Sequence, residues 1–227
     1  MNTSSPVRLG RLCAAGLLLT LAGGCDALRP TATPHPSFYS LGNTRDAAPA
    51  EIRRTAPAAA PTMIVNPPQA AAGFDSARII YVREAHKLEY FAHSEWVDPP
   101  ARMLAPLLVA AVESTGAFRA VVLTPSAATG DLRLDTEIIR LQHEFRTRPS
   151  RVRFTLRAYI VDNTTRRVLA WREIDETAPA ASDDPYGGVL AANRAVQAAL
   201  DNLAAFCAET ARSSFKAGAP TPAPSIH

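Results

Sequence analysis

The chain has 227 residues, 47% apolar and 7% aromatic, and the roughly 150 that remain beyond a signal and a proline-rich stretch suit one domain with a real core rather than two. Its 24 Lys and Arg face 21 Asp and Glu. Arg8 and Arg11 lie in a segment that reads as removable, leaving 22 basic residues against the same 21 acids, and such near-neutrality excludes the electrostatic footprint of a nucleic-acid binder.

Residues 1–12 carry those two arginines and no acid, and an apolar run follows from Leu12 to Leu21. As a helix, this run reaches about 15 Å, half of a hydrocarbon core of about 30 Å. It is too short for a permanent span and suits the apolar region of an export signal over 1–24. The run closes in Leu21-Ala22-Gly23-Gly24-Cys25, which resembles the bacterial lipobox, where small residues fit the peptidase and the thiol accepts diacylglycerol. Ala22 stands where that motif usually has leucine. Cys25 is therefore the expected lipidation site and membrane anchor, with ordinary secretion as the competing reading. Two or three acyl chains, at about 0.8 kcal/mol per buried methylene, hold a protein durably. Asp26 resembles the aspartate that retains enteric lipoproteins in the inner membrane.

Residues 26–37 are polar and proline-rich, as suits an extended tether. A short β-prone island, Phe38-Tyr39-Ser40-Leu41, ends at Gly42-Asn43. Residues 44–62 are again rich in Ala and Pro, with no apolar period to bury. The tether thus runs over 25–62, the folded domain over 63–212 and a disordered tail over 213–227. Within the domain, Met63-Ile64-Val65, Ala77 to Val82 and Leu88-Glu89-Tyr90-Phe91 read as strands.

Asp98-Pro99-Pro100 opens a helix, with Asp98 as cap and Pro99 at the first helical position. Met103, Leu104, Leu107, Leu108, Ala111 and Val112 then form one apolar stripe. Pro106 should kink or locally break the helix, and Gly116 ends it. Phe118 to Leu123 is a further strand candidate. Leu132, Leu134, Thr136 and Ile138 alternate, and the phase slips at Ile138-Ile139 before Leu141, which predicts a bulge. Val152, Phe154, Leu156, Ala158 and Ile160 alternate cleanly. With turn residues at 162–165 and Val168 to Ile174 beyond, 151–174 reads as a hairpin. A last helix follows Asp183-Asp184-Pro185, with Val189, Ala192, Val196, Leu200, Leu203 and Cys207 on one face. This order predicts an α/β fold: a mixed, partly antiparallel sheet flanked by helices.

No residues assemble into recognisable chemistry. His35, His86, His93, His143 and His227 show no ligand spacing, and Cys207 stands alone in the fold as a small buried apolar residue. Intermolecular pairing of Cys207 is its alternative reading. Neither a phosphate-cradling loop nor a dinucleotide turn occurs, and Gly187-Gly188 reads as a flexible start to the last helix. No metal, cofactor or catalytic residue is expected, and a hydrolase would need a serine, histidine and acid brought together by the fold. Arg146, Arg148, Arg151, Arg153 and Arg157 are the densest basic region, read as a solvated face or as a surface for an acidic partner or lipid headgroups. Trp96 reads as core or as a staple ahead of the helix, against a partner-binding role.

An ordered set of segments does carry a resemblance. It runs from Gly73 to Arg83, Leu88 to Phe91, Glu95 to Leu104, Ser114 to Phe118, Asp131 to Asp135 and Gly187 to Ala195, with Phe38 to Leu41 like a first strand after the lipid cysteine. Together these resemble the ABC-type transport auxiliary lipoprotein family, the group that includes PqiC, over roughly 36–210. The Ala/Pro-rich insert at 44–62 departs from shorter members. The resemblance implies a single three-layer α/β domain similar to anticodon-binding-like folds. It also implies a non-catalytic periplasmic accessory of an ABC permease and ATPase working with an MCE-type substrate-binding protein. Such systems move lipids or other hydrophobic molecules across the envelope. Outer-membrane anchoring follows from the resemblance and inner-membrane anchoring from Asp26; a homo-oligomer is a further expectation. The alternative is a periplasmic lipoprotein that itself binds a small hydrophobic ligand in an apolar pocket.

Overall fold

A computed structural model describes residues 35–42 and 59–217, with side chains to Ser214. The export signal, Cys25, Asp26, most of the tether and insert, and the tail from 218 lie outside the described residues. Strands are β1 (Ser37–Tyr39), β2 (Thr62–Val65), β3 (Gln69–Ala70), β4 (Arg78–Val82), β5 (Glu89–Trp96), β6 (Ala120–Leu123), β7 (Leu132–Glu144), β8 (Arg151–Asp162) and β9 (Val168–Pro179). Helix α1 (Pro100–Glu113) lies between β5 and β6, and α2 (Pro185–Ala217) closes the described chain.

The long strand β7 organises the sheet. Along one edge it takes β2, β3 and β4 in succession, all parallel to it. On its other edge it pairs antiparallel with β8, which pairs antiparallel with β9. β6 adds parallel to β2, while β5 pairs with β4 and β1 adds parallel to β5. The expected α/β class and mixed, partly antiparallel sheet are both present.

The alternation read from β8 is realised: Val152, Phe154, Leu156, Ala158 and Ile160 are all at most 2% exposed. The phase slip at Ile138-Ile139 is a bulge, since pairing to β8 jumps from Ile138 to Arg140 and returns Leu141 to the core face. Against that face lies the α2 stripe, with Val189, Ala192, Val196, Leu200, Leu203 and Cys207 all buried. Leu104, Leu108, Ala111 and Val112 of α1 join the same core. The two helices also pack against each other, which places both on one side of the sheet.

Both helices begin at an Asp-Pro step, yet their caps differ. In α2, Asp184 directly precedes Pro185, and its Oδ1 accepts a 2.7 Å hydrogen bond from the Gly187 N–H, as a capping residue does. In α1 the expected Asp98 cap does not form. Pro99 occupies the cap position, Pro100 is the first helical residue, and no side chain caps the helix. The second proline pushes the start one residue on, so Asp98 sits one place too early and reaches Arg102 at 3.4 Å instead. The assigned helix continues through Pro106, and the chain leaves it at Gly116, whose φ of 63° is the left-handed conformation glycine supplies.

Candidate functional site

On the core side, two expectations meet at one place. His143, near the end of β7, and Ser150, just before β8, are 2% and 1% exposed, and His143 Nε2 lies 2.8 Å from Ser150 Oγ. The chain folds back between them, so the antiparallel register brings them together. His143 Nδ1 has no hydrogen-bond partner among the described residues. Burial pushes the His143 pKa down, and the nearby Asp183 and Asp184 carboxylates oppose that shift. A serine, a histidine and two acids are therefore close, the grouping a hydrolase would need. Its geometry is that of a packed interior. Ser150 and His143 are out of reach of solvent, and the Asp184 oxygen is engaged in capping α2.

Gly187 and Gly188 need correction beside this pair. They are not a loose start to the helix but a close approach. A Cβ on Gly188 would lie 2.5 Å from His143 Nδ1, and one on Gly187 would collide with Ser182. The small void lined by Ile79, Trp96, Leu141, His143 and Gly188 has room for about one water molecule and is no ligand pocket. Trp96 is 4% exposed, as its core reading requires. Cys207 is buried too, with its thiol pushed up to about 12 by desolvation.

The opposite face of β7, β8 and β9 is charged. Arg153, expected in a basic cluster, donates from Nε to Asp175 Oδ1 at 2.9 Å, and Thr155 Oγ1 donates to the same oxygen at 2.7 Å. Arg157 meets Glu173 at 2.9 Å and Glu137 at 3.7 Å, and Arg151 meets Glu144 at 3.0 Å. Hydrogen bonding to Asp175 holds the Arg153 pKa above its ordinary value, and the same bond holds Asp175 below the usual carboxylate range. Three of the five arginines singled out in the sequence are thus neutralised by acids on neighbouring strands. This favours a solvated charge mosaic over a basic patch. Arg146 and Arg148 stand in the exposed loop between β7 and β8.

Sequence reasoning missed the most exposed aromatic of this face. Trp171 of β9 is 62% exposed, and its ring stacks on Tyr159 of β8 at 6.5 Å between centroids. Val168 and Leu169, 56% and 41% exposed, lie on the same strand. β9 pairs only with β8, so its far edge has no strand partner among the described residues. Read as one arm of a hairpin, β9 gave no signal that it would be an edge; only the sheet order reveals it. Among the described residues, no three of His, Cys, Asp and Glu are grouped to hold a metal, and no helix is long and apolar enough to cross a membrane.

These features define an α/β domain in which two helices cover one side of a mixed sheet and a charged strand face with an exposed tryptophan occupies the other. The chain belongs to the family of ABC-type transport auxiliary lipoprotein components, whose family model matches residues 39–204. Among solved structures, protein XCC0632 from Xanthomonas campestris, of family DUF330, shares 22% identity, covers 71% of this chain and 94% of its own, and superposes with a TM-score of 0.64. An uncharacterized protein at 13% identity covers 77% of this chain and 99% of its own, with a TM-score of 0.59. At these identities the likeness is one of fold. No curated protein matches the sequence.

Proposed function

We propose that the protein is a lipid-anchored, periplasm-facing accessory that docks a component of an ABC-type transporter through the β8–β9 face and performs no catalysis. Family membership supplies the transport context. The observation that carries the docking reading is Trp171, largely exposed and stacked on Tyr159 in a twelve-residue strand whose outer edge pairs with no strand among the described residues. Large apolar rings in a polar, ion-paired surround are typical of interface anchors. An unpaired edge also offers main-chain groups to an incoming strand. The partner is an MCE-type substrate-binding protein acting with its permease and ATPase, and the cargo is a lipid or another hydrophobic molecule. Cys25 carries the acyl anchor, which raises the local concentration of the domain near its partner without new contacts.

The test is site-specific photo-crosslinking in cells from a benzoyl-phenylalanine at position 171, with a control at exposed Arg102. Covalent capture of an MCE protein or a permease from 171 and not from 102 is the expected result. Capture of neither from 171, in cells where the transporter is expressed, removes this face as the docking surface.

A further inference from the structure

The edge of the sheet formed by β1 carries a second group of exposed apolar side chains. Phe38 of β1, Val97 just past β5 and Tyr186 of α2 are 59%, 57% and 58% exposed, and Leu190 of α2 is 38% exposed. Contacts among their neighbours hold them in one place. The rings of Tyr39 and Tyr186 lie 6.4 Å apart between centroids, and the Val97 N–H donates to the Tyr39 carbonyl at 2.8 Å. Asn193 Oδ1 accepts from the Gly42 N–H just past β1. Leu190 stands one helical turn after Tyr186 and just ahead of Asn193, so this side of α2 borders β1. Phe38 points to the opposite sheet face from Tyr39, because neighbours on a strand alternate. Apolar groups therefore flank both faces of this edge.

Where the chain enters the fold says what covers this edge. β1 is the first strand after Cys25, and twelve residue steps from Cys25 to Ser37 reach at most about 40 Å. The edge is thus the part of the domain covalently nearest the residue proposed to carry the acyl anchor. Its side chains suit a bilayer surface. A tyrosine ring combines an apolar body with a polar hydroxyl and is favoured at the level of the headgroups. None of Phe38, Tyr39, Val97, Tyr186 and Leu190 is charged at neutral pH, so none has an ionic hydration shell to lose there. So few side chains alone would bind a bilayer weakly, but a tether makes the contact intramolecular and needs little intrinsic affinity. The β9 edge lies at the other end of the strand path β1-β5-β4-β7-β8-β9, five strand spacings or about 24 Å away.

We propose that the β1 edge rests on the bilayer surface, with Phe38, Val97, Tyr186 and Leu190 at the level of the lipid headgroups. Seated this way, the domain has a fixed orientation and holds its β9 edge off the membrane, open to a protein partner. The proposal rests on lipid anchorage at Cys25 and is independent of which protein docks at β8–β9.

The test supplies the anchor artificially, so its outcome does not depend on acylation in cells. The chain from residue 25 onward, bearing Cys25→Ser behind a hexahistidine leader, is held on phosphatidylcholine vesicles that contain a nickel-chelating lipid. The environment-sensitive dye NBD is placed on Phe38→Cys, on Tyr186→Cys or, for reference, on Glu173→Cys of β9; buried Cys207 is spared. On tethering, emission from positions 38 and 186 should shift to the blue and be quenched by doxyl-labelled phosphatidylcholine, and emission from 173 should do neither. Adding Tyr186→Glu and Leu190→Glu to the Phe38→Cys chain should abolish the response at 38, with circular dichroism confirming the fold. If that chain does not fold, Val97→Glu takes the place of the pair. The proposal is overturned if positions 38 and 186 respond no more than 173, or if the added glutamates leave the response intact. It is also overturned if the same blue shift grows with protein concentration in the absence of vesicles, which would assign this edge to a second copy of the chain. Failure of the anchor itself shows separately, as full membrane retention of Cys25→Ser in cells.

Discussion

His143 is buried with one nitrogen bonded to Ser150 and the other without a partner among the described residues, so burial favours its neutral form. Its folded pKa lies below the unfolded value of about 6.5. As pH falls through that value, the unfolded chain takes up a proton that the folded one refuses, and stability falls until the folded pKa is passed. Above about pH 6.5 the contribution is fully present. The urea midpoint should therefore drop between pH 7.5 and 5.5, and by less in His143→Gln, which keeps a hydrogen-bonding group toward Ser150. An equal drop in both proteins refutes the assignment. Gly188 tests the same packing from the helix side. Alanine would raise helix propensity by about 1 kcal/mol. It would also drive a methyl into the imidazole, an overpacking cost of about 1–3 kcal/mol. Net destabilisation in chemical denaturation, relieved when His143→Ala is added, is the expected outcome. None of this was legible from residues 143, 150 and 188 in the sequence, because a pairing seven residues apart and a helix contact forty-five residues on exist only in the sheet register.

Element by element, periodicity was the reliable guide. The apolar stripe from Val189 to Cys207 and the alternation from Val152 to Ile160 became buried faces because one helix side and one sheet face must meet to leave water. The bulge at Ile139 was legible from a phase slip, since strand side chains alternate with a period of two. Start positions were less legible: the Asp98 cap failed through a second proline, and β5 runs on to Trp96 well past the Phe91 at which its apolar island stopped. At this scale, Leu203→Ala, on the side of α2 that meets the sheet and fully buried, should cost about 2–5 kcal/mol in urea unfolding. Arg153→Ala should cost far less, about 1 kcal/mol or below, because its pair with Asp175 is partly exposed. Near-equal losses for the two would show that the charge ladder, rather than the apolar core, holds the hairpin.

For the whole molecule, the sequence pointed to an envelope lipoprotein of a transport family through an ordered series of segments, and the match over 39–204 agrees. The candidate docking face was not legible, because exposure of Trp171 depends on which strand ends the sheet. Cys25→Ser should release the protein from membranes into the soluble periplasmic fraction; full retention of the serine variant on membranes would remove the anchor.

The attachment of β1 has a mechanical meaning. This three-residue edge strand is held by its register with β5, by a 2.8 Å hydrogen bond from Gly42 N to Asn193 Oδ1, and by Leu41 in the core. With β1 seated, the leash from Cys25 to Ser37 pays out at most about 40 Å when stretched, at about 3.3 Å per residue. With β1 pulled off, the covalent reach from residue 25 to the buried Ala60 is at most about 115 Å by the same measure. A force applied at residue 25 would therefore act first on one short strand, and its release would nearly triple the upper limit on that reach. In an optical trap, stretching from residue 25 should show a small first extension step, well separated from the rupture of the remaining domain.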